Sequence, residues 1–223
     1  MKKVVVLLGA VTFVFGLTGY AMATAIPVPN FSFEDPALGY DGDYTNSIAD
    51  WDQDGGSSGV YSTTSNLSGF LGDNVAYING PGLIGQYLTG QLLAANTTYT
   101  LEVAVGNRSD VVFFPTYMII LGAGNPSVSG SFVTLAWDNT ASPAAGAFAD
   151  STVTYTALAG DPSLGLTLGI QLQGYGGGQV NFDNVRLTTE SSSVAPEPTT
   201  LFLLGSGLIG LAGLGRKKFG QKK

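Results

Sequence analysis

The residues whose spacing suits chemistry are acids. Asp50, Asp52 and Asp54 alternate in Asp50-Trp51-Asp52-Gln53-Asp54-Gly55. This is how a calcium loop opens: alternate carboxylates converge on one cation and the glycine permits a sharp turn. The twelfth position, which should supply a bidentate glutamate, is Tyr61, and no helical pattern flanks the loop. Such a stretch in a Gly/Ser loop is more often a soluble turn than a calcium site. Aromatic side chains near Gly/Asp-rich segments (Tyr40, Tyr44, Trp51, Tyr61, Tyr175) could form a platform for sugar rings, although a Trp beside a strand is as often core. Two carboxylates can also share acid–base work on a glycosidic bond. Fifteen acids between residues 24 and 195 supply such a pair in any fold, so their number diagnoses nothing. There is no His and no Cys. That removes Ser-His-Asp and Cys-His catalysis, the common zinc sites and disulfides. What remains is carboxylate, Tyr, Ser/Thr or calcium chemistry, and because no sequence context singles out a reacting pair of acids, the expectation is a protein that is not an enzyme.

The elements that must position these groups read as strands. Thr98 to Val105 alternates, with Tyr99, Leu101, Val103 and Val105 facing one way. Leu166 to Leu172 repeats the pattern. Val75–Ile78, Leu83–Leu88, Phe113–Leu121, Phe132–Trp137 and Thr152–Leu158 are further candidates, separated by Gly, Asn, Asp and Pro. No amphipathic helix and no internal repeat is evident, so the expectation is an all-β, antiparallel sandwich. Near the end, Val180 and Phe182 point one way while Val185 and Leu187 take the opposite parity. The slip predicts a β-bulge at Asp183-Asn184, a device that re-aims a polar side chain.

Charge is segregated. The body holds fifteen acids against Arg108 and Arg186 alone, a formal charge of −13. That excludes a nucleic-acid partner and favours bound cations or high solubility. The ends differ. Lys2 and Lys3, an apolar run from Val4 to Leu17 and Ala21-Met22-Ala23 describe a signal peptide over residues 1–23. At the other end come Pro196-Glu197-Pro198, an apolar Gly-rich segment, and Arg216, Lys217, Lys218, Lys222 and Lys223. The expected organisation is a signal peptide (1–23), a sandwich domain (24–190), a linker (191–198), a membrane helix (199–215) and a basic cytoplasmic tail (216–223). The apolar segment of about 16 residues reaches about 24 Å, short of a hydrocarbon core of about 30 Å, which suits a temporary hold in the inner membrane.

That tail resembles the PEP-CTERM sorting signal of exopolysaccharide-producing bacteria. The resemblance implies processing at Pro196, Glu197 and Pro198 by an exosortase-type enzyme, and delivery of the exported chain to the cell surface or extracellular matrix. The body also resembles the galactose-binding-like jelly rolls, which include many carbohydrate-binding modules. The matching stretches are Asn30-Phe31-Ser32-Phe33-Glu34, Ile48 with Trp51, Gln86-Tyr87-Leu88, Tyr99-Thr100-Leu101 and Phe182-Asp183-Asn184-Val185. This resemblance implies a structural calcium held by Glu34 and Asp183 where the first and last strands meet; Asp50, Asp52 and Asp54 remain a weaker candidate on their own spacing. It also implies carbohydrate contacts from Trp51, Tyr175 and Gln86. The expected function is a non-enzymatic envelope or matrix protein with a polysaccharide-binding sandwich. The alternatives are a structural matrix protein without a specific ligand and, further off, a glycoside hydrolase.

Overall fold

The computed structural model describes residues 23–191 and 204–209. Residues 24–191 form twelve strands: β1 (Thr24–Ile26), β2 (Tyr44–Thr45), β3 (Asp52–Asp54), β4 (Ser57–Ser62), β5 (Asn74–Asn79), β6 (Gly82–Leu92), β7 (Thr97–Asn107), β8 (Thr116–Gly124), β9 (Val133–Asp138), β10 (Ala147–Ala157), β11 (Thr167–Tyr175) and β12 (Gln179–Ser191). A seven-stranded sheet runs β10-β7-β12-β5-β4-β2, with β1 also paired to β12. A five-stranded sheet runs β3-β6-β11-β8-β9. All pairings are antiparallel.

The alternation seen in the sequence is what closes the sandwich. Leu101, Val103 and Val105 of β7 meet Leu168, Ile170 and Leu172 of β11 in one core, each fully or almost fully buried. A half-buried pleated surface excludes water in this way at every second residue. Phe33 and Trp51 close one end of that core with ring centroids 5.2 Å apart. The Trp51 indole nitrogen donates to the Asn30 carbonyl at 3.2 Å.

Strand β12 is the spine. It is 13 residues long, and on the side away from β7 it has two different neighbours. β5 pairs with 179–182 and β1 with 187–189. Between them the β12 register against β7 shifts from Asp183 to Arg186, and Asn184 sits at φ 48°. The expected bulge is therefore present where β12 has no strand on one flank. There the Val185 amide bonds to the Phe31 carbonyl at 2.8 Å instead, because a buried amide left without a strand still needs a partner.

The expected membrane helix at 199–215 falls largely outside the described residues. Only 204–209 are described, as a short helix. Among the described residues no helix is long and apolar enough to cross a membrane. The signal peptide and Pro196, Glu197 and Pro198 also lie outside the described residues.

Candidate active site

The site lies on the outer face of the seven-stranded sheet. Strand pairing sets Asp183 of β12 beside Ala104 of β7, and Ala104 beside Asp150 of β10. One step further along, Gly106 pairs with Phe148. The Phe148 ring lies across Gly106, since a Cβ there would come within 2.6 Å of it. The β4–β5 connection folds over this face as a roof. Ser68 anchors it to the Gly146 carbonyl through its amide and its hydroxyl, both at 3.0 Å, and Leu71 donates its amide to Asp183 Oδ2 at 2.5 Å. Phe70 in the roof meets Phe148 with centroids 6.1 Å apart. The result is a cavity of ≈ 360 Å³ lined by residues that include Phe70, Leu71, Ala104, Phe148, Asp183 and Arg186.

Asp183 has no exposed surface. Burial pushes its carboxyl up to about 7. The Leu71 and Asn184 amides oppose that rise, the Glu34 charge adds to it, and Arg186 opposes it. Such a group is neutral about half the time near neutral pH. It can therefore give a proton and take one back. Arg186 is itself held by Asp150 at 3.3 Å and Glu102 at 3.5 Å, so its charge is largely offset within the cavity wall.

Glu34 and Asp183 come to the same short roof segment. Glu34 accepts from the Asp73 and Asn74 amides at 3.1 Å. Gly72 is required between them: its φ is +79°, and a Cβ would sit 2.3 Å from Glu34 Oε1. Asn74 gives its backbone amide to Glu34, and its side-chain oxygen is buried without a hydrogen-bond partner. A buried orphan oxygen of this kind is a group that a cation or a water would satisfy.

The other sequence candidates scatter. Asp52 and Asp54 lie on the exposed strand β3, paired with β6, and Asp50 precedes them at φ 66°. Among the described residues no three acidic side chains gather as a metal cluster. Trp51 is 5% exposed, so it belongs to the core and offers no sugar platform. Gln86 is buried too and donates to the Pro29 carbonyl at 3.2 Å. Both had been expected in a solvent-facing site. The stretches carrying them gave no sign of which side faced inward. Tyr175 is 39% exposed at the end of β11. The sequence reading missed Phe70, Ala104, Phe148, Asp150 and Arg186, because only strand pairing brings them together. Its one usable signal was the parity slip at Asp183.

The family model of the HpiC1 cyclase matches residues 24–188, and the PEP-CTERM protein-sorting motif matches residues 194–217. No curated protein matches the chain. Among solved structures, the apo form of a cyclase from Fischerella sp. is 33% identical, covering 77% of this chain and 98% of its own, with a TM-score of 0.66. The Stig cyclase Fisc from Fischerella sp. TAU, in complex with (3Z)-3-(1-methyl-2-pyrrolidinylidene)-3H-indole, is 30% identical, covering 77% and 100%, TM-score 0.67. A cyclase from the same source in complex with 4-(1H-indol-3-yl)butan-2-one is 31% identical, covering 77% and 100%, TM-score 0.63. The sorting motif and the jelly-roll-type sandwich agree with the sequence reading. The expectation of a non-enzymatic body is overturned by these cyclase matches. That expectation rested on finding no sequence context that singled out one acid among fifteen, and the burial that sets Asp183 apart does not show in residue spacing.

Proposed function

The chain belongs to the HpiC1-like cyclase family, and from that premise we propose that it is an exported cyclase whose Asp183 donates the proton that starts ring closure. One observation carries the reading: a carboxyl with no exposed surface, near pKa 7, facing a cavity walled by two aromatic rings. An acid–base group is most effective when its pKa lies near the working pH. The substrate class is a small, mainly apolar molecule with an electron-rich π system, in keeping with the indole compounds bound by two relatives. In the first step the Asp183 O–H bond breaks and a C–H bond forms at one carbon of a C=C bond, leaving a cation at the other. A second π bond of the same molecule attacks that cation and forms the ring bond. The new cation loses a proton to the Asp183 carboxylate. The sum is an isomerisation, which calls for no oxidant.

The neighbours have defined tasks. The Leu71 and Asn184 amides orient the carboxyl. Phe70 and Phe148 offer ring faces to the cation. The roof covers one side of the cavity, which reduces the water that could trap the cation. The test is conversion of an indole bearing an alkenyl side chain into a product of equal mass but different chromatographic retention. Asp183→Asn should abolish it, and equal turnover by that variant would refute the assignment.

The tail carries a sorting motif for export to the cell surface. In this reading an exosortase-type enzyme cuts near Pro196, Glu197 and Pro198, and residues 199–215 hold the precursor in the inner membrane until then. Calcium enters as a structural ion. Glu34 would hold it, tying the N-terminal segment to β5; the ion would offset the Glu34 charge, leaving burial as the cause that raises Asp183. Thermal unfolding with calcium and with chelator reads this without reference to turnover.

A further inference from the structure

Arg108, one of the two basic residues between 24 and 195, stands directly after β7 with 16% of its side chain exposed. All three of its nitrogens are engaged. Nε and Nη2 donate to the two Asp110 carboxylate oxygens at 2.9 and 2.6 Å. Nη1 donates to Gln179 Oε1 at 3.0 Å. The flat face of the guanidinium lies on the Tyr61 ring, with Cζ 4.6 Å from its centroid. A planar fork makes these contacts together, whereas an ammonium group does not.

What Arg108 touches leads to the cavity by two routes. Gln179, Asn181 and Asp183 alternate along β12, with the core residues Val180 and Phe182 between them, so all three stand on the outer face of the sheet. All three are buried. Gln179 Nε2 donates to Asn181 Oδ1 at 3.3 Å, and Asn181 Nδ2 donates to the Ala76 carbonyl at 3.2 Å. The second route is the roof, which hangs from the residues on either side of Arg108. The Ser109 amide donates to the Asn66 carbonyl at 3.0 Å. The Asn107 carbonyl accepts from the Gly146 amide at 2.7 Å, and the Gly146 carbonyl is the one that anchors Ser68. Tyr61, under the guanidinium, accepts from Asn66 Nδ2 at 3.4 Å.

Past Ser68 the roof depends on its anchors. Gly69 and Gly72 sit at φ +84° and +79° and bracket Phe70 and Leu71. A Cβ on Gly69 would meet nothing within 4 Å, so packing does not hold that joint. The Phe70–Leu71 pair is fixed from both ends, by Asn66 and Ser68 on the Arg108 side and by Asp73 and Asn74 on Glu34. Those anchors keep the Leu71 amide on Asp183 and Phe70 against Phe148. Leu67 is buried and keeps the loop attached if Arg108 is lost, so the loosening is local. The charges that act on Asp183 are those of Glu34 and Arg186, with Asp150 and Glu102 paired to Arg186. Arg108 works through the position of the roof instead. We propose that Arg108 is a positioning residue for the Asp183 site, gripping Tyr61, Asp110 and Gln179 so that roof residues 66–71 stay closed over the cavity. Its consequence for turnover rests on the cyclase reading; its hold on the roof does not.

The test is single-residue amide exchange on the full chain in mild detergent. It is read at Leu71 and, for reference, at Ile170 and Leu172 of β11, a strand paired on both flanks. Arg108→Gln should speed exchange at Leu71 by about tenfold or more and leave the two β11 amides unchanged, the mark of local opening. Arg108→Lys, which keeps the charge but not the fork, should act in the same direction to a smaller degree. Ile84→Val, a core change in the other sheet, should leave Leu71 as in the wild type. With the alkenyl-indole substrate, Arg108→Gln should lower kcat more than it raises KM, because the Leu71 amide orients the reacting carboxyl. The proposal is overturned if Leu71 exchanges at the wild-type rate in both Arg108 variants, or if the β11 amides speed up equally. It is also overturned if Ile84→Val loosens Leu71 as much, or if kcat is unchanged while Leu71 is loosened. A wild-type chain that converts no substrate refutes the proton-donor reading, and exchange at Leu71 still decides whether Arg108 holds the roof.

Discussion

Replacing Asp183 by Asn removes one titration and leaves the side-chain volume intact. A carboxyl near 7 in the folded chain and about 3.9 when unfolded holds its proton more tightly in the native state. Its stabilising contribution is full below the unfolded value and is lost as pH rises through about 7. The gap of roughly three units corresponds to about 4 kcal/mol. Wild-type stability measured against Asp183→Asn should therefore fall by about 4 kcal/mol between pH 4 and pH 8, at about 1.4 kcal/mol per unit inside that window. Asn accepts through only one oxygen, so one of the bonds from Leu71 and Asn184 is weakened. That adds a pH-independent loss of about 1–3 kcal/mol. Urea unfolding of both proteins across the pH series separates the two effects, because only the first has a slope. A flat difference curve would mean that Asp183 is ionised throughout, and the proton-donor argument would fail with it. The same titration predicts that turnover declines as pH rises through about 7, since only the protonated acid starts the reaction.

Gly106→Val should drive the Phe148 ring out of the cavity, given the 2.6 Å approach. The expected cost is about 1–3 kcal/mol of overpacking with a larger loss of turnover, checked by paired unfolding and kinetic assays. Chelation should lower Tm in the wild type, and Glu34→Gln should remove most of that calcium response. An equal response in the variant would place the ion elsewhere. Trp51→Ala should cost about 3–5 kcal/mol by urea unfolding, because the ring lies in the core. Changing Pro196, Glu197 and Pro198 to Ala should leave the precursor uncut, seen as accumulation of the heavier membrane-held form and loss of the cell-surface form.

The strands were legible wherever one face is buried and the other wet. The Thr98–Val105 pattern became β7, and Leu166–Leu172 became β11, because alternation is itself the record of that asymmetry. Strands β2 and β3 left little trace, being two and three residues long, too short for a period to repeat. Phe113 was expected inside a strand, but β8 begins only at Thr116, after Pro115. The site was half legible. The parity slip marked Asp183, while its partners come from β7, β10 and a roof loop far apart in sequence. Spacing cannot show which distant residues a sheet will place side by side. Nor could it show that Asp183 would be buried, and that burial is what sets it apart from the other acids of the body.

The pairing of β1 with the last part of β12 also has a mechanical side. Thr24 sits opposite Thr189, so the residue after the expected cut and the C-terminal end of β12 lie beside one another. Tension applied between those two points would act across the first rung of the β1–β12 ladder and open it one bond at a time, the weakest direction in which to load paired strands. Once the N-terminal end is free, the same pull passes along β12 alone, whose long ladder with β7 is loaded in shear. Removing the leader would then convert a zipper into a lashing, and the strand bearing Asp183 would carry the tether without losing its register.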